Sequence, residues 1–123
     1  NLDYAHGTGH GVGFFLNVHE GPQSISKINK VKIKEGMILS NEPGFYKKNK
    51  FGIRIENLVY VKRQNKRLSF ENLTAAPIEK DLINFNLLTN FEKNYLFKYH
   101  LNVYSKISKY LNSNEKKWLA SLI

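Results

Sequence analysis

Three clusters hold most of the groups in this chain that could do chemistry. The first is His6-Gly7-Thr8-Gly9-His10 with His19 downstream; the second is Asn41-Glu42-Pro43-Gly44; the third is Arg54-Ile55-Glu56. Singly, each has an ordinary reading. A histidine among glycines is commonly a turn residue, and a glutamate before Pro-Gly is commonly a loop carboxylate. A glutamate two residues from an arginine on a strand is commonly half of an ion pair. Together they point further. The residues around Arg54 and Glu56 are Ile, Leu, Val and Tyr, so the strand reads as buried, and a carboxylate there needs a cation. Arg54 could serve, but it shares a face with Glu56 and leaves that carboxylate with an oxygen to spare. His6, His10 and His19 are interleaved with glycines that let other backbone come close. One imidazole and two carboxylates make a hard, oxygen-rich donor set, suited to Mn2+, Fe2+, Co2+ or Zn2+ as a hydrolytic metal.

The elements that must position these groups follow from glycine and periodicity. All eight glycines lie in the first 52 residues, so the first half reads as strands and tight turns. Strands are expected over residues 11–18, 36–40, 52–62 and 68–73. Glu42-Pro43-Gly44 and the basic stretch 47–50 are expected to form the loop of a hairpin. In the long strand Ile53, Ile55, Asn57, Val59 and Val61 share one face, and Arg54, Glu56, Leu58 and Tyr60 the other. From Pro77 the period changes. Thr89-Asn90-Phe91-Glu92 is a capping box, followed by a stripe of Phe91, Tyr95, Tyr99, Val103, Ile107, Tyr110 and Leu111, which predicts a helix of about six turns. Asn112 or Ser113 caps a last short helix bearing Trp118, Leu119 and Leu122. The fold class is α+β.

Composition narrows the remaining choices. At 123 residues, 41% hydrophobic and 13% aromatic, the chain suits one small globular domain with a modest core. It begins at Asn1 and turns glycine-rich almost at once, which suggests a cut or processed start. The absence of cysteine excludes disulfides and thiolate chemistry. No apolar run approaches the about 20 residues of a membrane span, so no membrane is expected, and the cytoplasm is the expected compartment. The net charge of +9 comes mostly from scattered lysines, with arginine only at Arg54, Arg63 and Arg67. That pattern describes a solvated surface rather than a nucleic-acid footprint.

The motifs themselves carry a resemblance. Residues 6–13 (HGTGHGVG) with 16–22 (LNVHEGP), then 35–46 (EGMILSNEPGFY) and 52–57 (GIRIEN), resemble the histidine block and the two glutamate blocks of the aminopeptidase P family, in order and spacing. The tail, with its Leu87-Leu88-Thr89 entry and Tyr99-His100-Leu101, resembles the C-terminal extension of the longer members. The resemblance implies a pita-bread fold. Residues 1–77 would be the C-terminal portion of its catalytic domain and residues 78–123 a helical extension. It implies a dinuclear Mn2+ site in which His10 and Glu42 ligate one ion and Glu56 bridges both, completed by an aspartate pair that nothing here matches. It casts His6 and His19 as outer histidines that hold substrate and move protons, and Arg54 as a brace for Glu56. The implied activity is removal of the first residue from peptides with proline second, by a metal-bound hydroxide. The expectation is that this chain alone is inactive. Its expected partners are the missing N-terminal half of the catalytic domain and, in one alternative, a second copy meeting it along the helical extension. The other class of reading is a non-enzymatic interaction module.

Overall fold

The computed structural model describes residues 3–15 and 17–123. The chain falls into two compact units, Asn1–Thr74 and Ala75–Ile123.

The first unit is built from short antiparallel strands. β1 (Gly9–His10) pairs with β2 (Ser24–Ile25). β3 (Ile38–Asn41), β6 (Asn57–Gln64) and β7 (Arg67–Asn72) form a three-stranded sheet in the order β3-β6-β7. β4 (Gly44–Lys47) and β5 (Phe51–Arg54) form a hairpin. On β6 the two-residue period buries Val59 and Val61, which pack on Leu39 of β3, with Ile25, Ile33 and Met37 around them. β1 rides on β3. The His10 amide donates to Ser40 Oγ at 2.9 Å, and the Glu42 amide donates to the Thr8 carbonyl at 2.7 Å. A Cβ at position 9 would collide with the Ser40 carbonyl, so the approach requires glycine.

Three sequence expectations change here. The described residues among 11–18 form no strand beyond a single bridge from Gly11 to Leu39. The chain doubles back, with the Gly13 amide on the Asn17 carbonyl at 2.8 Å and the Glu20 amide on the Gly11 carbonyl at 2.9 Å. Phe14 and Phe15 then stand exposed; Leu16 lies outside the described residues. The expected strand over 52–62 is broken into β5 and β6. Asn41 pairs with Asn57 and Gly44 with Arg54, so Glu42-Pro43 lies opposite Ile55-Glu56. Pro43 has no N–H to give, and the ladder thins there to one bond, Ile55 N–H to the Pro43 carbonyl at 3.3 Å. β5 is exposed along its length rather than buried. Finally, the loop expected from Glu42 onward contains β4. Only residues 48–50 turn, with Asn49 in the left-handed region at φ 59°.

The second unit is helical. Two 3-10 turns (Lys80–Leu82 and Phe85–Leu87) lead to α1 (Asn90–Ile107). Its capping box is present: the Glu92 amide donates to Thr89 Oγ1 at 3.3 Å and the Thr89 amide to Glu92 Oε2 at 2.8 Å. The 18 residues make about five turns, one fewer than expected, because a 3-10 turn at Ser108–Tyr110 takes over. Asn112 caps α2 (Ser113–Ala120), with Glu115 reciprocating. Tyr99, Val103 and Leu119 form the core, joined by Ile78, Ile107 and Leu122. The expected stripe is therefore buried only in its middle; Phe91, Tyr95 and Tyr110 at its ends are exposed. Buried His100 accepts the Ile78 amide on Nε2 at 3.1 Å, and Tyr99 OH donates to the Ala76 carbonyl at 2.7 Å. Among the described residues no helix is long and apolar enough to cross a membrane.

Candidate metal centre

The break between paired strands delivers both carboxylates to one level. Glu42 follows β3 and Glu56 precedes β6, in the stretch where the ladder lapses. β1, held on β3 by the Ser40 hydroxyl, adds His10. One ligand atom from each of His10, Glu42 and Glu56 lies within 4.8 Å of the others. Donors around one small divalent ion stand about 3–4 Å apart, so this is near the spacing of a coordination shell.

The electrostatics point the same way. Glu42 is buried. Its Oε1 accepts from Ser40 Oγ at 2.8 Å, and its Oε2 meets Arg54 Nη1 at 3.1 Å. His10 Nδ1 lies 2.9 Å from the Gly11 carbonyl, which can only accept, so Nδ1 carries a proton. In the neutral ring Nε2 therefore presents a lone pair, and it points at Glu42 Oε1 from 3.3 Å. Two lone pairs at that distance repel unless a proton or a cation lies between them. A proton makes an ordinary ion pair; a divalent cation uses both donors and has Glu56 in reach. The donor set of one imidazole and two carboxylates fits a hard or borderline divalent ion.

The other expected residues surround this cluster. Arg54 meets Glu42 rather than Glu56 as its ion-pair partner. Its Nε donates to Tyr46 OH at 3.0 Å. That hydrogen bond is the chief cause of an Arg54 pKa raised above its ordinary value, with the nearby carboxylates of Glu42 and Glu56 adding to it. His6 Nδ1 donates to the Gly7 carbonyl at 2.7 Å, which leaves Nε2 to accept from Tyr46 OH at 2.6 Å. His19 is exposed, and its ring packs against that of His10 at a 35° tilt with centroids 4.0 Å apart. Sequence reasoning missed Ser40 and Tyr46. Their signal was register: Ser40, on β3, is two residues before Glu42, and Tyr46 pairs with Gly52, two positions along from the Gly44–Arg54 pair and so on the same face of the hairpin.

The chain belongs to metallopeptidase family M24. The family model matches residues 1–63, and the model of the family's C-terminal region matches residues 66–122. Among relatives, the chain is 46% identical to a probable Xaa-Pro aminopeptidase P of Laccaria bicolor over 96% of its own length, and 45% identical to Xaa-Pro aminopeptidase 1 of Dictyostelium discoideum over 99%. It spans about a fifth of these proteins, 20% and 22% respectively. A solved structure, the X-prolyl aminopeptidase of Caenorhabditis elegans, described as a cytosolic enzyme with a di-nuclear active site, superposes with a TM-score of 0.88. It is 40% identical, with 98% of this chain and 22% of that one covered. The architecture, antiparallel strands followed by a short helical part, is accordingly that of the C-terminal portion of a pita-bread fold, as the resemblance implied.

Proposed function

We propose that this chain carries part of the active site of a metal-dependent aminopeptidase that removes the leading residue from peptides with proline second. The observation that supports it is the convergence of His10, Glu42 and Glu56 within 4.8 Å, in a chain of a metallopeptidase family. His10 and Glu42 would hold one divalent ion, assigned as manganese, and Glu56 would extend to a second ion whose other ligands lie outside these 123 residues. When bound, the ions supply a water-derived nucleophile at neutral pH and positive charge opposite the carbonyl under attack.

The chain's own residues do the rest. The Nδ1–H bond to Gly11 keeps the His10 lone pair on Nε2. Arg54 and Ser40 fix both oxygens of Glu42. Cleavage before proline leaves a secondary amine whose nitrogen must gain a proton, and His19, exposed and with its ring tilted against that of His10, would give it. His6 and Tyr46, locked to each other, orient the substrate. We assign this chemistry to the cytoplasm, in line with the description of the C. elegans neighbour.

Co-expression with the portion of the C. elegans enzyme that this chain does not cover tests the reading. Manganese-dependent hydrolysis of Xaa-Pro peptides is expected from the pair, lost with Glu56→Gln and absent from the 123 residues alone. A pair that assembles and binds manganese yet cleaves nothing contradicts it, as does equal turnover by the chain alone. A second reading, an interaction module, rests on the exposed Phe91 and Tyr95 of α1. Retention of a dimer in Phe91→Lys would speak against that face as the contact.

A further inference from the structure

Ser40 is fully buried, at 0% exposure, beside Leu39 on β3. Leu39 faces the apolar core with Val59 and Val61, and alternation turns Ser40 to the other face, where β1 rides. A buried hydroxyl costs free energy unless it is hydrogen-bonded, a requirement that alanine would not bring to the same position. Both partners that Ser40 finds lead to candidate metal ligands, and they fix the direction of its proton. The His10 amide can only donate, so Ser40 Oγ accepts from it at 2.9 Å. The single hydroxyl proton then goes to Glu42 Oε1 at 2.8 Å, which as part of a carboxylate can only accept. Oε1 is also the oxygen that faces His10 Nε2 across 3.3 Å. One hydroxyl therefore sets the backbone of one ligand and the side chain of the other.

We propose that Ser40 is a positioning residue of the metal centre, whose hydroxyl holds the His10 and Glu42 donors at the spacing of one divalent ion. This rests on the aminopeptidase reading and deepens it with a residue that acts only through the two ligands. Ser40 takes one lone pair of Oε1, and a carboxylate oxygen keeps a second for an ion, so the bond orients Glu42 without occupying it. The fold has other means of keeping β1 in place. Backbone bonds from the Glu42 amide to the Thr8 carbonyl at 2.7 Å and from the Val12 amide to the Ile38 carbonyl at 3.1 Å flank the hydroxyl. Its loss is therefore felt at the site more than in the sheet. Partners that orient metal ligands typically contribute about 10–100-fold to metal affinity.

The test is a calorimetric titration of the 123-residue chain with Mn2+, native and altered at position 40, beside thermal unfolding of each protein. Ser40→Ala is expected to weaken Mn2+ binding by about 10–100-fold. Ser40→Thr, which keeps the hydroxyl, is expected to retain the affinity, and Ser40→Cys, a weaker donor, to fall between. Val59→Ala is the control: it thins the neighbouring core without touching either ligand, and should lower the thermal midpoint but leave the affinity unchanged. Equal affinity in the native chain and Ser40→Ala overturns the inference. So does an equal loss of affinity in Val59→Ala, which would make the hydroxyl a part of the fold and no more. If Ser40→Ala does not fold, the native, Thr and Cys chains carry the comparison, and an affinity indifferent to donor strength overturns it. Each of these results leaves the aminopeptidase reading standing; a native chain that binds no Mn2+ removes both.

Discussion

The two units satisfy their polar groups in opposite ways. In Ala75–Ile123 side chains go to backbone groups: Thr89 and Glu92 close the start of α1 and Asn112 and Glu115 the start of α2, each three residues apart, while His100 holds the Ile78 amide 22 residues back. In Asn1–Thr74 side chains go to one another over long stretches of sequence. His6 meets Tyr46, Arg54 meets Glu42, and His10 points a lone pair at the same carboxylate. The helical unit closes with what the chain supplies. The strand unit gathers two carboxylates and an imidazole lone pair at one point, with Arg54 beside them, which is the kind of donor set a cation site needs and a core does not.

Each side of that contrast can be broken. The largest effect is expected from Leu119→Ala, which empties a side chain 3% exposed from the core of the helical unit. It should cost about 2–5 kcal/mol, read as a lower midpoint of helical ellipticity on heating; a midpoint within a degree of the native one would mean the core is not where we place it. Gly9→Ala comes next. Its Cβ must displace the Ser40 carbonyl, at about 1–3 kcal/mol, and faster hydrogen exchange at the His10 and Glu42 amides should report β1 parting from β3. Unchanged exchange there would contradict the glycine requirement.

The smallest effect is a pH dependence at the start of α1. Hydrogen bonds from the Thr89 hydroxyl and amide hold the Glu92 carboxyl below its ordinary pKa. A depressed folded-state pKa contributes stability above the unfolded value and loses it as pH falls through the folded value. Helical signal should therefore decline as the solution is acidified past the usual carboxylate range, and Glu92→Gln should flatten that part of the curve. An identical curve in the variant would show that the capping box does not titrate.

The same contrast explains what the sequence disclosed. The start of α1 was legible because Thr89 and Glu92 are three residues apart and their partners are each other. β7 and the buried middle of β6 were legible because a two-residue period needs only local sequence. The break at Ile55-Glu56 was not, because its cause is Pro43 on the paired strand, and a run of Gly52-Ile53-Arg54-Ile55 gives no sign of it. The expected strand at residues 11–18 is interrupted because the chain, after one bridge from Gly11 to Leu39, turns back at Gly13, which the β-forming side chains of Phe14 and Phe15 do not signal. His10, Glu42 and Glu56 could be named from their motifs. That Arg54 would pair with Glu42, and that Tyr46 would join Arg54 to His6, depended on the β4–β5 register.

The measurement closest to the central claim is a calorimetric titration of the 123-residue chain with Mn2+, run beside His10→Ala and Glu42→Gln. We expect a saturable site in the native chain that is lost in both variants. A native chain that takes up no manganese, or variants that bind it as well as the native chain does, would contradict a shared cation at these three side chains.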